Sequence, residues 1–547
     1  MQPVVERCRE MLAKGRARSK KLHDSGTPGA QVSNQLADLY DDVVLELWND
    51  AIQDDLDNPR LGGLSLVAHG GFGRRDMAPY SDADVMLLAV RRSQALGEEI
   101  AGKLTRGLSD CGIDPGFSIR TPGEACSKSW DDSVIFSSLT ESRLLSGSLH
   151  HYQRFFKRFR RGAIRRKHRL TKNLIEARRQ EQAKWGETSY MLRPNVKRSR
   201  GGLRDIQLIR WLGFAHYGEA DLDRLVGLGF LPEEDYRLVR SAYGFLIRLR
   251  HELHFRTEKS QDVLDRGSQL EIAEAWGYRG HEGVLPVEEF MQQYFENIRN
   301  VRYAIGYVNE DCQHRSPIKR FVEIASARRL NRDVMMSRRN IWVRKAVRDS
   351  FARSLPKVLE LMVLAGQHDR RIDHPTWRAI RVAMQEQDFD ENSDSCESSV
   401  DQESTAAFLK LLAEPTRLAS SLRKLHELRI LERLIPEFAR MRGLLQFNAY
   451  HKYTVDAHSL LAVQTATELA DAEETNGMAR RYRRMDDKWL LHLALLIHDI
   501  GKGYEEDHCI VGERIAARVA DRLGLSDEHA DTLRWLVLKH LEVNVVA

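Results

Sequence analysis

Apolar and polar positions along this chain follow two different periods, and the switch between them divides it. Over residues 1–60, Leu, Val and Ala recur among charged residues at helical spacing, which predicts helices. The pattern then changes. Leu64–Ala68 (LSLVA) and Asp84–Val90 (DVMLLAV) are short apolar runs bounded by turn residues, as buried strands are. Phe117–Thr121 offers a further strand, and from about residue 133 onward helical spacing dominates. The polar run DFDENSDSCESSVDQEST (388–405) cannot bury enough apolar surface to offset its ordering entropy, so it reads as a flexible linker. The expected class is α+β. A helical segment (1–60) leads into a small domain with strands (61–140) and a helical region (141–387). The linker (388–405), a helical connector (406–440) and a helical C-terminal domain (441–547) follow.

Composition narrows the picture modestly. Hydrophobic residues make up 42% of the 547, enough for packed cores, and 84 basic side chains nearly balance 79 acidic ones for a net +5. That balance permits binding of phosphates without demanding it. None of the six cysteines, Cys8, Cys111, Cys126, Cys312, Cys396 and Cys509, forms a CxxC pair, which argues against a disulfide framework and for a reducing cytoplasm. The N-terminus lacks the apolar core of a signal peptide, and the most apolar stretch, LLHLALLIHDI (490–500), is too short to span a bilayer. A cytoplasmic protein with no membrane partner is expected.

Chemistry concentrates first between Leu64 and Val90. A strand delivers the chain to His69-Gly70-Gly71-Phe72-Gly73-Arg74, and Ser81-Asp82-Ala83-Asp84 opens the next strand. Glycines tolerate positive φ and carry no bulk, so backbone N–H groups can approach phosphate oxygens closely, and Arg74 and Arg75 can add charge. Gly70, Gly71, Gly73, Arg74 and Ser81 are therefore the candidate nucleotide-binding residues. Asp82 and Asp84, two apart on a strand, face the same side. Carboxylates sharing Mg²⁺ need that disposition, because two ions about 4 Å apart can stabilise the attacking and leaving oxygens of nucleotidyl transfer. A glycine turn alone is usually only a turn, and D-x-D usually sits exposed on a strand or loop. Their ordered combination is similar to the nucleotidyltransferase superfamily that includes DNA polymerase beta, and implies such a domain here. A third carboxylate is expected, with Asp114, Glu124 and Asp131 left open.

More of the chain extends the resemblance. Gly116-Phe117-Ser118-Ile119-Arg120-Thr121, Glu141-Ser142-Arg143-Leu144-Leu145-Ser146-Gly147 (read as a helix) and Leu192-Arg193-Pro194-Asn195-Val196-Lys197 with Gly201-Gly202-Leu203-Arg204-Asp205 follow in order. Together they resemble the bacterial PII uridylyltransferase/uridylyl-removing family. Asn195, Lys197, Arg204 and Asp205 either clamp anionic substrate groups or brace the domain. The resemblance implies transfer of UMP from UTP to a tyrosine of the regulatory protein PII, with Mg²⁺. Arg75 departs from the family, which commonly has glycine there.

The C-terminal region holds a second constellation. Thr454 caps a helix whose one face carries Val455, His458, Ala462 and Leu469. His498 and Asp499 end an apolar helix that Gly501 and Gly503 terminate, His508 opens another, and His540 shares a face with Leu533, Leu536 and Val537. A lone histidine on an apolar face is usually a core residue, but several aimed inward from separate helices, beside a carboxylate, suit a divalent metal with an open water position. The contexts Y-T-V-D-x-H, H-D-I-x-K-G and D-H-x-x-x-G resemble the HD phosphohydrolase superfamily and the uridylyl-removing half of the same family. His458, His498 and Asp499 are the candidate ligands for an ion such as Mn²⁺ or Mg²⁺, with His508 and His540 for a second metal or a phosphate. The family adds a final aspartate and two ACT domains, for which the sequence leaves no residues, so an incomplete HD domain is expected.

Two alternatives remain open at this point. A tRNA 3′-end nucleotidyltransferase also joins such a catalytic domain to an HD domain, and the basic aromatic run Arg154–Arg161 would suit RNA. The favoured reading of that run is a helix with its aromatics in the core, so nucleic acid is not expected as a partner. The other alternative is a nucleotide-binding scaffold without turnover, against which both aspartates argue.

Overall fold

The computed structural model describes residues 2–185, 193–280, 284–314, 327–388, 400–444, 454–473 and 477–541. Its contacts resolve into two units, one of residues 1–189, 193–268 and 296–313, the other of residues 190–192, 269–295 and 314–547.

The first unit begins with α1 (Gln2–Asp24) and α2 (Gly29–Ile52). The strands β1 (Leu64–Ala68) and β2 (Ala83–Ala89) are separated by the five-residue α3 (Gly70–Arg74). After α4 (Gln94–Asp110) come β3 (Pro115–Arg120), α5 (Pro122–Ser129), α6 (Ser133–Leu139) and β4 (Arg143–Gly147). The sheet runs β3-β2-β1-β4, with β1 antiparallel to both β2 and β4 and β2 parallel to β3. Leu64, Leu66 and Ala68 of β1 and Val85, Leu87 and Ala89 of β2 point to one face. There they meet Val4, Cys8 and Leu12 of α1, Leu36, Tyr40 and Leu47 of α2, and Ile100 and Leu104 of α4. The N-terminal helices thus belong to the core of the strand domain and are not a separate segment.

One element differs from its reading. Residues 143–147, inside the stretch read as a helix, form the edge strand β4. Pairing with β1 overrides the helical propensity of Arg-Leu-Leu, and the strand ends at Gly147, whose φ of 92° and close approach to the Leu64 carbonyl only glycine tolerates.

The chain continues through α7 (Leu149–Arg165), α8 (Lys167–Trp185), α9 (Leu203–Tyr217), α10 (Leu222–Gly227), α11 (Glu233–Thr257), α12 (Arg266–Ala275) and α13 (Pro286–His314). The basic aromatic run lies on α7. Phe155 and Phe159 are buried, and Phe159 stacks on Trp130 and Phe214 at centroid distances of 5.5 and 5.3 Å. Arg154, Lys157, Arg158, Arg160 and Arg161 are exposed. Phe155 and Phe159 are therefore core residues and cannot stack on bases.

The second unit is not purely helical. Short strands β5 (Arg328–Arg329), β6 (Val334–Met336), β7 (Asn340–Val343) and β8 (Arg371–Ile372) form a sheet in that order. Runs of two to four residues hold at most two alternations, too few to stand out against helical spacing, so the region from 133 onward read as overwhelmingly helical. Helix Gln402–Ala413, capped by Asp401, starts inside the stretch read as linker, of which 389–399 lie outside the described residues. Residues 406–440 are core and not a connector: Leu411, Leu422, Leu425, Leu431 and Leu434 are buried in one cluster with Ile341, Val463, Leu493 and Val537. Helices Val455–Glu468, Lys488–Ile497, His508–Arg522 and Asp527–Leu538 carry the histidine motifs. Among the described residues, no helix is long and apolar enough to cross a membrane.

Phe159→Ala should destabilise the first unit by about 3–5 kcal/mol, the usual penalty for emptying a buried aromatic site. Urea unfolding monitored by tryptophan fluorescence measures this, and a change below ~1 kcal/mol would place the α7 aromatics outside the core.

Candidate active sites

The first site is built around Asp84. In the β2–β3 register Asp84 stands opposite Gly116, and the His69 N–H donates to the Asp84 carbonyl at 3.0 Å, which brings Gly70 to its other side. A Cβ on Gly70 would lie 2.3 Å from Asp84 Oδ2, and a Cβ on Gly116 would lie 2.3 Å from Oδ1. The carboxylate therefore fills the space that two missing side chains leave. Gly70 also adopts a φ of 58°, so it is doubly required. Gly71 is open, with nothing but an Arg74 nitrogen as near as 4.0 Å to a Cβ there, whereas Gly73 is pressed against the Ala68 and Glu141 carbonyls. Of the glycines, Gly71 alone leaves room for a ligand beside its backbone. Gly70 makes room for Asp84, and Gly73 lets the turn close.

Asp82 lies just ahead of β2 on the same face as Asp84. Burial raises the Asp82 pKa, with Asp114 and Asp84 adding repulsion and Lys197 and Arg250 opposing it. Burial raises Asp84 too, against Lys197, Arg74 and Arg204. Carboxylates whose ionised form is disfavoured by burial and mutual repulsion gain from a bound cation, because it removes that repulsion. Asp114 acts on both aspartates, whereas Glu124 closes a capping box with Thr121 and Asp131 pairs with Arg169. Of the three carboxylates left open, only Asp114 belongs to this cluster.

The basic residues separate into two roles. Lys197 faces the acidic pair, and the charge of Arg250, then burial, lowers its pKa to about 7. Arg74, expected at the nucleotide, is instead buried in an ion-pair network. Its Nε lies 2.6 Å from Asp76 and its Nη1 3.5 Å from Glu141, which also pairs with Arg210 of α9, while the Tyr243 hydroxyl of α11 donates to Asp76 at 2.6 Å. Arg75 reaches Asp38 and Asn34 of α2, and the Ser81 hydroxyl accepts from the Ala78 N–H. Asn195 and Asp205 are braces: Asn195 Oδ1 accepts the Lys197 and Arg198 N–H groups, and Asp205 holds Arg178 at 2.6 Å and the Gly201 N–H at 2.6 Å. The bracing of Asn195 fixes the backbone that presents Lys197.

The second site lies in the other unit. His498 Nε2 is 3.3 Å from Asp499 Oδ2, His458 Nε2 is 3.8 Å from the same oxygen, and His540 Nε2 is 3.5 Å from Oδ1. His498 Nδ1 donates to the Leu495 carbonyl at 2.9 Å and His540 Nδ1 to that of Val537 at 2.7 Å. A carbonyl only accepts, so Nδ1 keeps its proton and Nε2 is the atom each ring turns into the cluster: protonated it donates to Asp499, and neutral it offers the lone pair that metal ligation requires. Burial alone would raise Asp499, but hydrogen bonds from His498 and His540 and the charge of Lys502 hold it well below the usual carboxylate range. His458, His498 and Asp499 offer ligand atoms all within 4.8 Å of one another. His458 is 44% exposed against 4% for Asp499, so the cluster opens to solvent on the His458 side.

Two groups here escaped the sequence reading. Lys502 lies 2.9 Å from Asp499 Oδ2, and Cys509 joins His508 and His540 in a further cluster. Lys502 could have been found from its i,i+3 spacing to Asp499. Asp456, within the quoted motif, is not at the metal. It accepts from His426 at 2.9 Å and from the Gly443 N–H at 2.9 Å, which offset its burial and lower its pKa to about 2.

Arg74→Ala should cost about 3–5 kcal/mol of stability, because it takes the guanidinium partner from buried Asp76 and leaves Glu141 with Arg210 alone. Denaturant unfolding reads this directly, and full stability with selectively weakened nucleotide binding would return Arg74 to the ligand. Gly116→Ala should push Asp84 aside and weaken Mn²⁺ binding at the first site by about 10–100-fold, the range seen when an orienting neighbour of a metal ligand is disturbed. Electron paramagnetic resonance titration measures free Mn²⁺, and unchanged affinity would mean Asp84 is not a ligand.

Known proteins share these features. Residues 169–308 match the family model described as GlnD PII-uridylyltransferase, and residues 455–546 match that of the HD domain. A bifunctional uridylyltransferase/uridylyl-removing enzyme of Haemophilus influenzae strain PittEE is 27% identical over 516 residues, covering 93% of this chain and 58% of the relative. Its counterpart in strain 86-028NP is 27% identical over 514 residues with the same coverage. The chain thus spans little more than half the length of these curated relatives. Nucleotidyltransferase and HD domains are in general dependent on divalent metals. This chain therefore carries one segment, residues 169–308, similar to the GlnD PII-uridylyltransferase family and another, residues 455–546, similar to the HD domain.

Proposed function

We propose that this chain transfers UMP from UTP to a tyrosine hydroxyl of the regulatory protein PII, and that its HD cluster removes UMP by hydrolysis. The observation that carries the first half is the seating of Asp84 between Gly70 and Gly116, with Asp82 alongside and Lys197 facing both. Asp82 and Asp84, with Asp114 near them, would hold Mg²⁺, which supplies charge stabilisation for the attacking and leaving oxygens. The residues fit it: the carboxylates are clustered, and burial and mutual repulsion oppose their ionisation, which a cation relieves. Lys197 stands where it can neutralise the triphosphate. The tyrosine oxygen bonds to the α-phosphorus, the α–β bridging bond breaks, and pyrophosphate leaves as the hydroxyl proton is lost. Gly71 gives the phosphates access to the backbone.

For removal, His458, His498 and Asp499 would hold a divalent cation such as Mn²⁺ or Mg²⁺, which lowers the pKa of bound water. Asp499 is ionised and His498 already turns its Nε2 toward it. Water adds to phosphorus, the bond to the tyrosine oxygen breaks, and UMP and the free hydroxyl form. The names of the relatives and the matching HD segment support this pairing of activities. The cytoplasm, where UTP is available, is the proposed location. The burial of Phe155 and Phe159 weighs against the tRNA alternative.

Incubation with α-labelled UTP, Mg²⁺ and either PII or tRNA tests the proposal. Label should appear on PII, fall to background in Asp84→Asn, and persist without subsequent loss in His498→Ala. Label on tRNA alone would favour the alternative, and nucleotide bound with no acceptor labelled would favour a scaffold.

A further inference from the structure

Beside Asp499 lies a second group of potential ligands with a different chemical character. His508 is the first residue of helix His508–Arg522, Cys509 is the second, and His540 stands just beyond helix Asp527–Leu538. One ligand atom from each, two imidazole nitrogens and a thiol sulfur, lie within 4.8 Å of one another. Cys509 Sγ is 3.7 Å from His508 Nε2. In tetrahedral coordination, with metal–sulfur near 2.3 Å and metal–nitrogen near 2.05 Å, neighbouring ligand atoms stand roughly 3.4–3.6 Å apart. The Cys509–His508 edge is thus close to its bound length already. His540 contributes a ring already fixed by its Nδ1 bond to Val537. The alternative reading makes Cys509 a half-buried residue in a first helical turn, but that leaves two imidazoles converging on its sulfur without a reason.

We propose that His508, Cys509 and His540 form a thiolate-bearing cation position adjoining the His458–His498–Asp499 position, and that it selects a soft divalent ion such as Zn²⁺ over Mg²⁺. Thiolate and imidazole suit Zn²⁺, whereas Mg²⁺ demands six oxygen ligands in near-ideal octahedral geometry. Three protein ligands leave the fourth tetrahedral position open, as hydrolytic zinc sites do. The His498 and His540 rings are 5.2 Å apart, and Asp499 Oδ1 lies 3.5 Å from His540 Nε2. The carboxylate therefore borders both positions, and two cations sharing it could polarise one phosphate. Binding of the soft ion stands on these residues alone; only its part in UMP removal rests on the hydrolase reading above.

The full-length chain, stripped by chelator and loaded with Co²⁺, provides the test. A near-ultraviolet sulfur-to-cobalt charge-transfer band should appear, resist excess Mg²⁺ and be displaced by one equivalent of Zn²⁺. Cys509→Ser should abolish the band, and His508→Ala should abolish or shift it, while thermal unfolding confirms that both variants are folded. His498→Ala, which removes a ligand of the neighbouring position, should keep it. Absence of the band from the unmutated chain, or its persistence in Cys509→Ser, overturns the proposal. Should the band appear as described in a chain that never releases UMP from modified PII, the cation position stands and the hydrolase reading falls.

Discussion

The carboxylate of Asp84 occupies a slot whose two walls are glycines, and the arrangement of the first unit follows from keeping that slot open. One wall, Gly70, belongs to the turn after β1, and the other, Gly116, belongs to β3. Both must sit in register with β2, so the position of the acid depends on the pairing of three strands. A slip of one residue would send Asp84 into the apolar face beneath α1, α2 and α4, where a carboxylate has no partner. The apolar alternation that holds register, Val85, Leu87 and Ala89 against Leu64, Leu66 and Ala68, therefore also aims the acidic pair. Stability and chemistry here rest on one strand pairing.

A second constraint ties the turn to the helices that follow. Arg74, Asp76, Glu141, Arg210 and Tyr243 come from α3, the following loop, the approach to β4, α9 and α11, yet they form one buried network. Taking these charges from water is expensive, so such a network contributes less to net stability than to fixing one geometry. Its effect is positional. Lys197, whose strongly lowered pKa reflects the neighbouring arginines, reaches the acidic pair from the segment that matches the PII-uridylyltransferase family. That helical segment completes the site with a cation the strands do not provide.

Much of this was legible in the chain itself, and the failures have physical causes. Leu64–Ala68 announced a strand because its apolar run was bounded by turn residues, whereas the glycine turn read as a phosphate cradle gives Gly70 to the Asp84 carboxylate and Gly73 to its own closure. Arg74 was misplaced because charge next to a glycine turn suggests a phosphate, and nothing local reveals that Glu141 and Arg210 wait 67 and more residues away. β4 was taken for a helix because Arg-Leu-Leu has good helical propensity, and only its partner strand decides otherwise. The small sheet β5–β8 was invisible because its strands, two to four residues long, hold at most two alternations. Cys509 was passed over because a lone cysteine carries no spacing signal; it acquires meaning only when folding brings His540 beside it.

The two candidate sites differ in donor chemistry in a way that bears on how the two proposed reactions would share a chain. The first offers carboxylate oxygens with a lysine opposite, a setting for a hard ion that arrives with the phosphates of its substrate. The second offers imidazoles, one carboxylate held well below the usual range and a neighbouring thiol, a setting suited to holding an ion without substrate. Addition needs a nucleoside triphosphate to assemble its ions, while removal needs only water and an ion already in place. A transferase whose metal comes with UTP and a hydrolase whose metal is resident would respond differently to the same cell: the first to nucleotide supply, the second to the ester it is shown. Separate donor sets would therefore give each proposed direction its own controlling variable, which a single shared metal centre would not.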